Sequence, residues 1–313
     1  MTARTAMTGI QDKAQQGHSH QRPGPSRPSP LYQGKTSFDD IYDQPDPRDY
    51  FRGLRPLEYQ IPHHAQRIFQ RLLPALGAVT GRDQQVRVLD VCCSYGINAA
   101  LLNHDVTLDD LYHRYTDPRA AALSRDELIE RDRAFYARNR LPGAAHMTGL
   151  DAARNAVAYA RAVGLLDEGF GEDLELTDPS PALVRALGPV ELITVTGGVG
   201  YVTSQTFDKL LSHIEGPVWV AAFVLRTVDY GSLADTLARH GLVTQRATSR
   251  TFLQRRFSDA REQQNAIEAV LATDRSPEGK ETDGFYHSEL YLSRPAEHAA
   301  AFPADEILDR AIH

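Results

Sequence analysis

The first chemical signal in the chain is the run Asp90-Val91-Cys92-Cys93-Ser94-Tyr95-Gly96. An acid near the end of an aliphatic, β-branched segment (Val86 to Val91) is followed by small residues and a glycine. Ile97 to Leu102 then read as the first turns of a helix. A strand, a tight small-residue turn and a helix form a cradle for a nucleotide or an anion, because unpaired N–H groups at the helix start point at the ligand. A second acid, Asp151, ends the segment Ala144 to Leu150, where such folds hydrogen-bond ribose hydroxyls. A third cluster, Gly197-Gly198-Val199-Gly200-Tyr201, follows the apolar run Val190 to Thr196. Glycines there permit tight turning and close backbone approach. Arg226 closes the run Gly216 to Leu225 and is suited to pair with an anionic group.

These residues need elements to hold them. Gln60 to Leu76 reads as a helix with Ile61, Ala65, Ile68, Phe69, Leu72 and Leu73 on its apolar side. Thr107 to Tyr115 and Ser124 to Arg138 read as helices of an insertion over 103–143. Ser124 followed by Glu127 is a capping-box pattern. Ala152 to Val163, Thr206 to Ile214, Leu233 to His240 and Asp259 to Thr273 read as further helices. Strands are expected around 169–175, within Leu242 to Phe257, and over Phe285 to Ser293.

In this order the chain resembles the class I S-adenosylmethionine-dependent methyltransferases. Counted from Asp90, the three glycine positions of their first motif hold Cys92, Ser94 and Gly96. Thr148-Gly149-Leu150-Asp151, with Ala156 to Ala160 behind it, resembles their second strand and helix. Asp151 lies beyond the roughly 20 residues of the simple nucleotide motif, and the helical insertion accounts for the excess. The resemblance covers about residues 60–293. It implies an α/β, Rossmann-like, doubly wound fold: seven strands, mostly parallel, the last antiparallel, with a helical N-terminal cover and a helical insertion.

The resemblance also implies S-adenosylmethionine as cofactor, held by Asp90, Cys92, Ser94, Gly96, Asp151 and Gly197. Asp173, with Glu172 next, would meet the adenine amino group. Cover aromatics would complete the pocket: Tyr50, with Tyr42 and Tyr59, either binds ligand or packs the cover. Tyr201 and Arg226 are the candidates on the acceptor side. The reaction implied is methyl transfer to a small molecule. The alternatives are a non-catalytic S-adenosylmethionine-binding or scaffold protein of the same fold, and a nicotinamide-dependent oxidoreductase. The latter conflicts with the missing first two fingerprint glycines and the lack of an evident Tyr–Lys pair.

Composition narrows the rest. The chain has 313 residues, 42% hydrophobic and 24% charged, ordinary for a globular protein with a sizeable core. A net charge of −7 argues against nucleic acid or anionic membrane as a partner. No apolar run approaches the roughly 20 residues of a membrane span, and the N-terminus reads without the apolar core of a signal peptide. The two cysteines, Cys92 and Cys93, exclude a disulfide framework and fit a reducing, cytoplasmic setting. No metal site is expected, and a homodimer is a possible assembly. Residues 1–34, rich in Gln, Ser, Pro and Gly, read as a disordered tail, and its His18 and His20 as solvated. Residues 35–80 read as the cover, 81–294 as the core and 295–313 as a tail with a short helix. His63 and His64 read as helix-surface residues, His213 and His287 as structural.

Overall fold

The computed structural model describes residues 39–81 and 85–309; the segment read as a disordered tail lies outside them. The cover comprises α1 (Asp39–Tyr42), α2 (Arg48–Leu54) and α3 (Ile61–Thr80). In α3, Pro62 sits in the first turn, where its missing N–H costs nothing, and Gly81 ends the helix in the left-handed conformation. Ile61, Ala65, Ile68, Phe69, Leu72 and Leu76 are buried along one stripe, as their helical spacing requires.

The core begins with β1 (Arg87–Val91) and α4 (Ile97–Asn103). The insertion follows as α5 (Leu108–Thr116), α6 (Pro118–Ala121) and α7 (Arg125–Asn139). Both α5 and α7 open with complete capping boxes, Thr107 with Asp110 and Ser124 with Glu127. Next come β2 (His146–Leu150), α8 (Arg154–Ala162), β3 (Glu168–Phe170), α9 (Pro181–Leu187), β4 (Leu192–Thr196), α10 (Ser204–Leu211), β5 (Trp219–Leu225) and α11 (Gly231–Arg239). The chain finishes with β6 (Val243–Arg246), β7 (Phe252–Arg256), α12 (Ala260–Leu271), β8 (Phe285–Arg294), α13 (Ala296–Ala301) and α14 (Ala304–Asp309). The end of the chain thus carries two short helices where one was expected.

Among the described residues the strands form one eight-stranded sheet in the order β3-β2-β1-β4-β5-β8-β6, with β7 also on β8. The first five strands are parallel, and β8 is antiparallel to β5. β6 pairs with Tyr291 to Arg294 and β7 with Phe285 to Ser288, both antiparallel. They are two segments of one interrupted strand beside β8, so the sheet has the seven expected positions. Helices cover both faces. One apolar cluster joins the cover, α4, α8 and the insertion, and the other joins α9, α10 and α11. This is a doubly wound Rossmann-like fold with an antiparallel end, the architecture expected of class I methyltransferases.

Two features of the layout position the site. The ladder of β5 with β8 stops at Leu225 and Ser288, whereas β7 follows β8 back to Phe285. The antiparallel β7–β8 pair therefore continues past the carboxyl end of β5. The insertion, meanwhile, packs against the cover. Phe51 stacks on Tyr115 at 4.7 Å between ring centroids, and the Tyr112 hydroxyl donates to the Tyr59 carbonyl at 2.9 Å. Asp132 of α7, fully buried, accepts hydrogen bonds from Arg114 and from the Tyr159 hydroxyl of α8. The insertion buttresses the cover and is itself pinned to the core.

Candidate ligand site

In an open α/β sheet ligands bind beyond the carboxyl ends of the strands, where the strand order reverses. Here that point lies between β1 and β4. The turn after β1 occupies it. Cys92, Ser94 and Gly96 have φ of 59°, 49° and 75°. All three motif positions thus keep the left-handed backbone that glycine favours, although two carry side chains. Fold and hydrogen bonds hold this conformation, at a strain cost of roughly 1–2 kcal/mol per non-glycine residue.

Packing explains how the side chains fit. A Cβ on Gly198, just after β4, would stand 2.7 Å from Cys92 Sγ, and one on Gly149 in β2 would stand 2.8 Å from Cys93 Sγ. Each thiol fills space left by a glycine on a neighbouring strand. The adjacent cysteines therefore point to opposite sides of β1. Burial pushes both thiols well above the usual cysteine range, with Asp151 and Asp90 adding to the effect. A Cβ on Gly96 would come within 3.1 Å of Ala160 and 3.3 Å of Leu165. Its smallness serves the packing of α8 as well as the turn.

The two acids sit where the sequence placed them. Asp90 is fully buried; its Oδ1 accepts from Asn98 Nδ2 at 2.9 Å and Thr194 Oγ1 at 2.8 Å. Its Oδ2 is buried without a partner, as is the Ser94 hydroxyl. Burial pushes the Asp90 carboxyl up to about 7, against the pull of those two hydrogen bonds. Asp151 Oδ2 accepts from the Ser94 N–H at 2.8 Å and Oδ1 from the Ala153 N–H at 2.9 Å. Burial also raises Asp151, opposed by these backbone donors. The end of β2 is thus tied directly to the turn after β1.

Beyond β3, Glu172 is occupied at the start of α9, accepting from Ser180 N and Oγ. Asp173 accepts the Glu175 N–H in a local turn. Glu175, which sequence reading passed over, accepts from Thr203 N, Thr203 Oγ1 and Thr206 Oγ1. Asp90, Asp151, Asp173 and Glu175 are all near enough to act on the Cys92 thiol. Carboxyl groups at the ends of β1 and β2 and in the segment after β3 thus act electrostatically on the turn.

The cover reaches this edge. Gln44 N–H donates to the Tyr95 hydroxyl at 2.8 Å, and Asp43 accepts from the Asn155 N–H at 2.6 Å. Tyr42 lies close to Tyr59, Tyr201 and Asp151, and burial holds its phenol well above the usual value. Tyr50 is 3% exposed and meets Tyr42, Phe51, Tyr59 and Tyr95 edge-on, so its surroundings are those of a packing residue. Gly197 turns with φ of 70°, and Tyr201, 42% exposed, stands on the turn after β4.

Arg226 corrects the sequence reading. It is 4% exposed, its guanidinium pairs with buried Glu281 at 2.5 Å and donates to the Ser276 carbonyl at 2.8 Å. It anchors the segment between α12 and β8 and does not face an acceptor. His64 is corrected too. It is half-buried against Phe252, its Nε2 lacks a partner, and burial lowers its pKa to about 4. His287 bonds Thr251 through Nδ1 at 2.9 Å, consistent with a structural residue. Gln254 and Arg255 on β7 and Ser288 on β8 were not anticipated. No motif marks them, because they reach the edge only through the pairing of β7 with β8.

No family model matches the chain, and no curated protein matches it. Solved structures do. One is a plantazolicin methyltransferase in complex with SAH, 11% identical with a TM-score of 0.40, covering 82% of this chain and 93% of that one. A second is a functionally unknown protein from Deinococcus radiodurans R1, 16% identical with a TM-score of 0.37, covering 70% and 84%. A third is the magnesium protoporphyrin IX methyltransferase from Synechocystis PCC 6803 with bound SAH, 12% identical with a TM-score of 0.36, covering 85% and 91%. All are distant likenesses, and the strand order itself defines the fold.

Proposed function

We propose that the chain is an S-adenosylmethionine-dependent methyltransferase acting on a small-molecule acceptor. The observation that carries this reading is the charge around the turn at the switch point. Asp90 and Asp151 border the turn, Asp151 through its bond from the Ser94 N–H, and Asp173 and Glu175 add to the field on Cys92. A nicotinamide dinucleotide would bring a diphosphate to this turn. The carboxylates would repel it, and the Ser94 N–H that might bind it already donates to Asp151. A ligand carrying a sulfonium and an ammonium is instead favoured by the same field. The orphaned Asp90 Oδ2 and Ser94 hydroxyl give such a ligand an acceptor and a hydroxyl partner, each costly to leave buried and unpaired.

In this reading Asp151 holds the ribose hydroxyls and the left-handed turn brings backbone close to the ligand. Its far end would lie at the turn after β4, where Gly197 keeps the backbone in the left-handed conformation. Tyr42 and the cover exclude water from that end. The cofactor supplies an electrophilic methyl group. The protein's residues contribute proximity and alignment, and the acceptor's lone pair does the displacement. Among the described residues at the site no side chain is arranged as a nucleophile, so acceptor and cofactor would meet directly, in line.

Calorimetric titration of the full chain with S-adenosylmethionine, SAH and NAD tests the proposal. Binding of the first two and not of NAD is expected. Binding of NAD alone would overturn it in favour of a nicotinamide enzyme.

A further inference from the structure

We infer that Gln254 is the residue that meets the methyl acceptor, and that its side-chain amide selects an acceptor whose nucleophile is a hydrogen-bond-accepting oxygen: a carboxylate, phenolate or enolate. This inference rests on the methyltransferase reading and deepens it.

The geometry begins with an irregularity. The β7–β8 ladder shifts register between Leu253 and Arg255, which makes Gln254 the extra residue of a bulge. Bulges re-aim side chains and recur beside active sites. Gln254 is 3% exposed, and its Oε1 accepts from the Ser288 hydroxyl at 2.8 Å. Ser288 is itself fully buried. With Oε1 held in this way, the amide presents Nε2, which is a donor and never an acceptor. Its direction is equally fixed, because a Cβ on Gly197 would lie 2.9 Å from Gln254 Nε2. The amide therefore rests on the glycine turn at the end of β4. The backbone around it is braced on two sides. The Gln254 carbonyl accepts the Gln60 N–H at 2.8 Å, tying β7 to the start of α3, and the Gly197 N–H donates to the Phe223 carbonyl at 2.9 Å.

Position in the fold gives the amide its role. A nucleoside held by Asp151 at the end of β2 and laid across the switch point presents its other end at β4, which is where Gln254 lies. The arginines on either side of this region are already neutralised: Arg255 forms a bidentate pair with buried Glu262, and Arg226 pairs with Glu281. Acceptor recognition at this point thus falls to a neutral donor. An N–H donor beside the turn after β4 stabilises an oxygen lone pair and disfavours an ammonium or amine that presents its own protons. In the reaction the acceptor oxygen forms the new O–C bond while the C–S electron pair returns to sulfur. A carboxylate arrives already deprotonated, whereas a phenol or enol gives its proton to bulk water before it is enclosed and binds as the phenolate or enolate.

The test uses probes of defined charge: SAH, and the analogue in which an amine-bearing carbon replaces the methylated sulfur. The ratio of their affinities, measured by calorimetry on the full chain, reports what faces the transfer axis. Gln254→Leu is expected to leave SAH affinity within about twofold and to raise the amine analogue's relative affinity about threefold, by removing a donor that opposes its protons. Gln254→Glu, which places an acceptor there, should raise the ratio about tenfold. Ser288→Ala, which frees the amide to turn, should shift the ratio in the same direction as Gln254→Leu and serves if the Glu variant does not fold. A ratio unchanged in both Gln254→Leu and Ser288→Ala would overturn the inference. So would a falling ratio in Gln254→Leu, which would mean that the amide presents its oxygen. A folded Gln254→Leu protein that loses SAH itself would place the residue at the cofactor. If the wild-type chain binds neither probe, the methyltransferase reading fails first.

Discussion

The two halves of the ligand edge are built differently. At β1 and β2, acids, small-residue turn and helix start are close in sequence or tied by one backbone hydrogen bond, from Ser94 N–H to Asp151 at 2.8 Å. At β4, β5 and the β7–β8 pair, neighbours come from far apart: Gly197 under Gln254, Gln254 on Ser288, Arg226 on Glu281. The first half uses repeated backbone geometry, so its chemistry shows in spacing. The second half uses tertiary packing, so a charged residue in a promising place, Arg226, is spent on structure while an unmarked glutamine faces the site.

Arg226 is where the two halves differ most in energy. Arg226→Ala leaves Glu281 buried without its ion-pair partner and is expected to cost about 3–5 kcal/mol of stability, read by urea unfolding, with SAH affinity little changed in the folded protein. Full stability with lost methyl transfer would return Arg226 to the acceptor site. On the other half, Asp151→Ala should weaken SAH binding by about 1.5–3 kcal/mol in calorimetry. Unchanged affinity would move the ribose site away from β2.

Cys92 is where the two halves meet. Gly198→Ala forces a methyl against Cys92 Sγ and should cost about 1–3 kcal/mol. In the Cys92→Gly background the part of that cost due to the thiol should vanish, leaving the contact with Val195, and the double-mutant cycle measures the coupling directly. Additive effects would mean that the thiol and the glycine do not share the space. The smallest expected effect concerns pH. Asp90 titrates near 7 in the fold, well above its ordinary value. Its raised pKa favours the folded state at low pH, and this contribution is lost as pH rises through about 7. A cationic ligand that needs the carboxylate must displace that proton. Affinity for S-adenosylmethionine should therefore fall as pH drops below 7, by up to about tenfold per unit, and Asp90→Asn should flatten the profile. A profile unchanged by Asp90→Asn would detach this carboxylate from binding.

Much of the fold was legible because helical periodicity, capping boxes and aliphatic runs are local signals. Ser124 with Glu127 started a helix as its spacing required, and Asp90 and Asp151 came to one edge because strand ends in a parallel sheet align. The insertion shows the limit. Its helices were readable, but its place against the cover depends on Phe51 meeting Tyr115, which no spacing encodes. The same holds for the third strand region, which shortened to Glu168–Phe170 because the acids after it turn to cap α9 and to bond Thr203.

By itself, the sequence determined the element order, the strand–turn–helix at Asp90 to Gly96 and the acid after β2. Each is written in contiguous residues, and backbone sterics and hydrogen bonding translate them the same way in any context. Only the tertiary structure decided that Cys92 and Ser94 would hold glycine's backbone, that Arg226 would be paired away from the site, and that a bulge would aim Gln254 at Gly197. Those outcomes depend on which distant side chain fills which space and which buried charge must be neutralised. Close packing and desolvation settle both only once the whole chain has folded.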